Sequence, residues 1–289
     1  MLTVSRNHRV TQLAPDMAPV AGVEPGETFR VETAWPRGIG MRSLADPRPP
    51  RRLAITGPIA VRGAHPGDAL RVTIHDIALP SWGKVWTAPW LGVLKDAELY
   101  ERRLDIAGGR VDFAPGLSLP VRPMVGFVGV APGSGSVECL APGEHGGNMD
   151  CLTIGAGATV VLPVRVDDAL LAIGDVHATM GEGEVIGISL EVGAEVTAAV
   201  EVARGAAPPC PMVETAAHVA VLITEPEFAA ASERAVRTMA ELLAARRRLA
   251  FADAYALVGL AGDLRICQNI NPFGLTLRLE VSREVWGAA

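Results

Sequence analysis

The residue types able to do chemistry gather in one stretch, Gly143 to Glu191. It holds two of the six histidines, each within five residues of an acid. His145 opens His145-Gly146-Gly147-Asn148-Met149-Asp150, and His177 closes Gly174-Asp175-Val176-His177. Asp175 and His177 are two apart, so on a strand both project from one face. His145 and Asp150 flank a glycine-rich turn that can bend to meet them. Imidazole with carboxylates suits zinc, and further carboxylate or backbone oxygens would suit calcium. A plainer reading is equally open on these residues alone: His177 as a core histidine satisfied by Asp175. Glu184, in Gly181-Glu182-Gly183-Glu184, is a candidate general acid or base. Glu191 closes the apolar run Val185 to Leu190, where a charge needs a partner. It reads as a further ligand, as a group orienting one, or as the first exposed residue of a turn. Asn148 can donate to a substrate carbonyl, and Cys151 reads as a buried structural thiol.

Other chemistries find little support. There is no G-x-S-x-G elbow and no papain-like cysteine signature. HGGNMD is not H-E-x-x-H, and GEGE is not a phosphate loop. Gly133-Ser134-Gly135-Ser136 resembles a nucleophile loop or anion nest only superficially. The four cysteines, Cys139, Cys151, Cys210 and Cys267, have no C-x-x-C spacing, which argues against a thiolate zinc site and fits a reducing compartment. Net charge is −6, and the one basic block is Arg246-Arg247-Arg248, so nucleic-acid binding is not expected. MLTVSRNHRVTQLAP has no apolar segment of secretory type, and no apolar run approaches membrane-spanning length. A soluble cytoplasmic protein without membrane partners is expected.

These groups must be positioned mainly by strands. With 31 glycines and 22 prolines scattered through 289 residues, short strands joined by turns are favoured over a helical bundle. Thr28–Thr33 alternates after a Pro-Gly turn, Ala69–Ile77 follows Pro66-Gly67-Asp68, and Val111–Phe113 and Pro123–Val130 give further strand signals. Arg37 to Pro50 lacks periodicity and is expected as a loop over the site. Trp82, Trp86 and Trp90 recur every four residues, but Gly83, Pro89 and Gly92 argue for a loop whose tryptophans anchor it to the core. Ala194 to Val202 alternates as a half-buried strand. A helix is expected only after Thr224-Glu225-Pro226-Glu227, which has capping-box form. It presents Ala235, Met239, Leu242 and Leu243 on one face, with the arginine triplet at its end suiting the helix dipole. A second helix spans about Phe251 to Ala261, with Ala254, Leu257, Val258 and Ala261 on one stripe, and stops at Gly262. His65, in a turn before Pro66, is expected at the surface.

Taken in order, the central motifs resemble the acetamidase/formamidase family. That family shows H-G-G-N-x-D, an apolar run ending L-P-V, then G-D-x-H-A-x-Q-G-D-G-E. Here the last block is GDVHATMGEGE, with Met180 in place of the usual Gln and Glu182 in place of the usual Asp. A second match runs through Thr56-Gly57-Pro58-Ile59 to Asp76-Ile77, and the resemblance extends from about Thr28 to Val281. It implies a mainly β fold, sandwich- or barrel-like, with a small α+β C-terminal portion and assembly as dimers or larger homo-oligomers. The corresponding division is residues 1–130, a β-rich part; 131–222, a central β part with the site; and 223–289, the α+β part.

The implied activity is hydrolysis of a short carboxamide such as formamide or acetamide to the acid and ammonia. Carboxamides are inert acyl groups, so the reaction needs an activated water, a stabilised oxyanion and a proton for the departing amine. A divalent metal, zinc before calcium, would supply the first two. The resemblance favours His145, Asp150, Asp175 and His177 as its ligands, with Glu184, Asn148 and Glu191 as catalytic groups. Met180 motivates an alternative, a lactam or bulkier amide as substrate, since an apolar thioether for a hydrogen-bonding amide alters a pocket that it lines. A further alternative is a catalytically inert ligand-binding protein of the same fold.

Overall fold

The computed structural model describes residues 1–35 and 53–287; the stretch Arg37 to Pro50 lies outside them. The architecture is mainly β, with a small helical portion near the C-terminus, as expected. A nine-stranded sheet runs in the order Thr3–Val4, Thr28–Glu32, Glu195–Ala203, Ala69–Ala78, Thr159–Pro163, Met212–Glu214, His218–Glu225, Leu275–Ser282, Asp263–Gln268. A twelve-stranded sheet has Leu171–His177 at its centre, between Met124–Gly129 and Glu191–Val192. Ile55–Val61 also pairs with Leu171–His177. No helix among the described residues is long and apolar enough to cross a membrane.

Alternation explains how the layers close. In Glu195–Ala203 the side chains of Val196, Ala198 and Val200 are buried on one face. They join Leu70, Val72 and Ile74 against Val125, Val128, Leu171, Ile173 and Val176 of the other sheet, which forms the main core. His218–Glu225 is buried on both faces. Ala220 and Leu222 enter the main core, whereas Val219, Val221 and Ile223 face the helices. Helix α1, Phe228–Arg247, covers them with Ala235, Met239 and Leu243, and α2, Phe251–Ala261, adds Ala254 and Val258. Burying a Met or Leu side chain contributes about 1.5–3 kcal/mol, so this stripe fixes the helices to the sheet. A four-residue helix α3, Arg283–Trp286, follows the last long strand.

Two expectations are corrected. Thr224 does not cap a helix: it lies in His218–Glu225, its hydroxyl 3.0 Å from that of Thr276, and α1 begins after Glu227 with no side-chain cap. Cross-strand pairing claims the threonine before the helix can. The tryptophan segment is no loop at first: Trp82–Thr87 is a strand paired along its length with Tyr100–Ala107. Trp82 stacks on Trp35 with ring centroids 4.4 Å apart, and Trp86 is buried. Gly83 does not break this strand, because the space that its missing Cβ leaves is filled by Leu190, whose side chain lies 2.9 Å from where that Cβ would be.

Candidate functional site

The site is built where three strands of the larger sheet meet. His177 is the register partner of Met124 on one side and of Glu191 on the other. Two residues earlier, Asp175 sits between the paired positions Val125↔Val176 and Phe127↔Gly174, facing Gly126. Asp150 arrives on the turn after Gly146–Asn148, its amide 3.2 Å and that of Met149 3.0 Å from the Gly126 carbonyl they donate to. Three of the acids adopt the left-handed backbone region, Asp150 at φ 46°, Asp175 at φ 55° and Glu184 at φ 43°. For residues with a side chain this conformation is sparsely populated and is held by its surroundings, a pattern common at functional sites.

The side chains converge. Ligand-type atoms of Asp150, Asp175 and His177 all lie within 4.8 Å of one another, as do those of His177, Glu184 and Glu191. His177 Nε2 is 3.3 Å from Glu191 Oε1 and 3.7 Å from Asp175 Oδ1. Ser189 ties two acids together: its amide donates to Glu191 Oε1 at 3.1 Å and its hydroxyl to Glu184 Oε1 at 3.3 Å. Asn148 Nδ2 donates to Asp150 Oδ2 at 3.0 Å, so one of its two amide hydrogens orients that carboxylate. Gly126 is the floor. A Cβ there would lie 2.6 Å from Asp150 Oδ1 and 2.9 Å from Asp175 Oδ2, so only glycine leaves room for both carboxylates.

Burial sets the electrostatics. It pushes Asp150 well above the usual carboxylate range, with Glu184 and Asp175 adding to the rise. It carries Glu184 to about 7 and Glu191 to about 8, in both cases against the pull of His177. Burial by itself would lower His177, but the Glu191 and Asp175 carboxylates outweigh it and hold the imidazole well above its ordinary value. Four carboxyl groups and one imidazole, all buried, cannot ionise together without protons or a cation among them. Asp150 Oδ1, Glu191 Oε2, Asn148 Oδ1, His177 Nδ1 and His145 Nε2 are buried with no hydrogen-bond partner among the described residues. Unpartnered carboxylate oxygens converging on an imidazole are a donor set that fits a divalent cation.

Of the expected site residues, Asp150, Asp175, His177, Glu184 and Glu191 come together and Asn148 joins through Asp150. His145 belongs to neither triad. Gly146 at φ 85° and Gly147 at φ 87° carry the chain on to Asp150. The His145 ring packs back toward Gly147 and Gly143, and burial, the one cause acting on it, lowers it to about 4. Met180 is buried, and its carbonyl accepts from Arg122 at 2.7 Å. His65 is at the surface, 2.8 Å from Asp167, and Cys151 is buried and unbridged. Sequence reasoning passed over Gly126 and Ser189. Gly126 had a readable signal, since a lone glycine inside an apolar strand often marks a close approach by other groups; Ser189 had none.

Comparison with known proteins bears on the family of the chain. A family model described as the acetamidase/formamidase family matches residues 5–140 and 133–229. A protein from Thermoanaerobacter tengcongensis, titled a predicted acetamidase/formamidase, superposes with a TM-score of 0.92 at 37% identity, covering 98% of this chain and 96% of the other. An acetamidase from Bacillus halodurans gives 0.93 at 33% identity, with 98% of each chain covered. A formamidase from Methylophilus methylotrophus is 27% identical over 59% of this chain and 58% of its own length, so the chain spans under two thirds of that curated relative. The long family match and the near-complete superpositions lead to one assignment: this chain belongs to the acetamidase/formamidase family.

Proposed function

We propose that the chain hydrolyses short linear carboxamides, of the formamide and acetamide kind, to the carboxylic acid and ammonia. The reading includes a divalent cation, zinc in preference to calcium, held by Asp150, Asp175 and His177. One observation carries it: in a member of this family, a buried cluster of carboxylates surrounds a single imidazole and keeps several oxygens without donors. When bound, the cation would supply Lewis acidity toward the amide carbonyl and toward water. His145, expected among the ligands, is left out because it lies in neither triad.

The chain's own groups divide the remaining work. Water oxygen adds to the carbonyl carbon, the C–N bond breaks, and one proton moves from the water to the departing nitrogen. Glu184 is the shuttle for that proton. It lies on a turn that leads directly to the exposed Val185 and Ile186, and its carboxyl, bonded to the Ser189 hydroxyl, can take a proton from water and return it to the departing nitrogen. Asn148 keeps Asp150 oriented with one amide hydrogen and has the other for the substrate carbonyl. Glu191, fixed by the Ser189 amide, sets its carboxylate beside the His177 ring from the adjacent strand.

Ammonia release from formamide, acetamide, longer amides and lactams tests the reading. Turnover of the short linear amides, lost on chelation and restored by zinc, is expected. Preference for lactams would redirect the substrate, and no release from any amide with zinc bound would overturn the assignment.

A further inference from the structure

A buried cation next to the site takes no part in the chemistry above. Arg278 lies in Leu275–Ser282 on the face opposite Leu277 and Leu279, and its side chain is 4% exposed. Its guanidinium grips Glu182 with both terminal nitrogens, Nη2 to Oε1 at 2.6 Å and Nη1 to Oε2 at 2.8 Å. Nε donates to Glu280 Oε2 at 2.8 Å, and Glu280 is held in turn by Arg265 at 2.9 Å. A planar fork on a carboxylate fixes direction as well as distance, which a lysine ammonium does not.

What the fork fixes is the approach to Glu184. Gly183 is bridged to Gln268, its amide donating to the Cys267 carbonyl at 3.1 Å and its carbonyl accepting from Asn269 at 3.3 Å. Gln268 is rigid itself, its side chain bonded to Gly274, Thr276, Ile270 and Asn271. The Gly181–Glu184 turn is therefore held by backbone at Gly183 and by one side chain at Glu182, immediately before Glu184 takes its left-handed conformation.

We infer that Arg278 is a positioning residue: through Glu182 it holds the turn that keeps the Glu184 carboxyl in the cluster with His177. This rests on the amide-hydrolysing role proposed for that cluster. Among the described residues Arg278 donates to Glu182 and Glu280 and to none of the cluster carboxylates, so its effect on the reaction passes through the turn.

The test uses the full chain with Arg278→Lys, Glu182→Gln, Glu182→Asp and the Arg278→Lys/Glu182→Gln double variant. Steady-state kinetics on acetamide are paired with hydrogen exchange of residues 181–187. Displacement of a reacting group by about 1 Å can lower a rate by about 100-fold, so kcat should fall by roughly 10- to 100-fold with KM little changed. Faster exchange at 181–187, with 171–177 unaffected, should accompany it. The double variant should be no worse than the poorer single one, and Glu182→Asp should retain more activity than Glu182→Gln. Glu182 is 37% exposed, so its variants decide the matter even where Arg278→Lys does not fold. Unchanged exchange in Glu182→Gln overturns the inference, as does loosened exchange with unchanged kcat. A lower Tm with normal kcat per folded molecule also overturns it, since Arg278 would then serve stability alone. Wild-type protein inactive on every amide would remove the hydrolase reading, and the exchange data would then decide the clamp by themselves.

Discussion

His177 and Glu191 face each other across adjacent strands, Nε2 3.3 Å from Oε1, with both side chains buried. The imidazole belongs to both carboxylate triads and is the one nitrogen donor in either. His177→Ala is expected to yield a folded, strand-rich protein that has lost its metal and its activity. Circular dichroism with elemental analysis of the purified variant checks this. Stoichiometric metal retained in that variant would remove His177 from the ligand set.

Glu184→Gln separates proton transfer from metal binding. Gln is nearly isosteric and still accepts from Ser189, but it cannot take a proton from water. General acid–base groups contribute about 10²–10⁴-fold, so kcat should fall within that range at full metal content. Full activity would move the shuttle role to another acid, with Glu191 first in line.

Gly126→Ala tests the floor. The new methyl meets Asp150 Oδ1 at 2.6 Å, the Asp175 carbonyl at 2.8 Å and Asp175 Oδ2 at 2.9 Å, so both carboxylates and the Asp175 backbone must shift. Overpacking of this kind costs about 1–3 kcal/mol, and the variant should fold with a lower Tm and greatly weakened zinc binding. Calorimetric titration with zinc measures the second effect. Wild-type affinity in this variant would show that the two carboxylates do not share a ligand.

The metal-free chain should lose stability as pH rises from about 6.5 to 8. Burial lifts Glu184 to about 7 and Glu191 to about 8 from an ordinary 4.5, so between 4.5 and those values the folded state holds protons that the unfolded state has released. That stability disappears as pH climbs through them. His177, also raised, acts in the same direction. His145 opposes it, since burial lowers it to about 4 and penalises the fold as pH drops, but above about 6.5 its contribution is constant. Tm in chelator should therefore fall between pH 6.5 and 8, and zinc should flatten the slope by taking the place of protons. A chelated protein whose Tm rises over that interval contradicts the assigned shifts.

Much of this was legible in the sequence where local pattern and burial agree. Phe251–Ala261 is apolar along one stripe and meets Gly262, and the helix has those bounds. Asp175 and His177 do share a side of their strand. The misses arise where one local pattern serves two structures. T-x-x-E suits a cap, yet Thr224 is drawn into a sheet by its partner Thr276. Leu275–Ser282 was not singled out in the sequence: it alternates apolar with polar residues, and Arg278 and Glu280 on its polar face are buried because Glu182 and Arg265, distant in the chain, reach them. His145 was expected as a ligand because it flanks a glycine-rich turn with Asp150 and because of the family resemblance; among the described residues it lies in neither group of converging ligand atoms.

The pairing of His177 with Met124 and Glu191 has a consequence for how the sheet assembles. Side chains alternate faces with each residue, so a slip of one position would turn His177 and Glu191 away from each other. The carboxylates would then face apolar neighbours with no imidazole or cation to offset them. A misaligned sheet is thus penalised by its own charges, and the buried cluster doubles as a proofreading device for strand alignment.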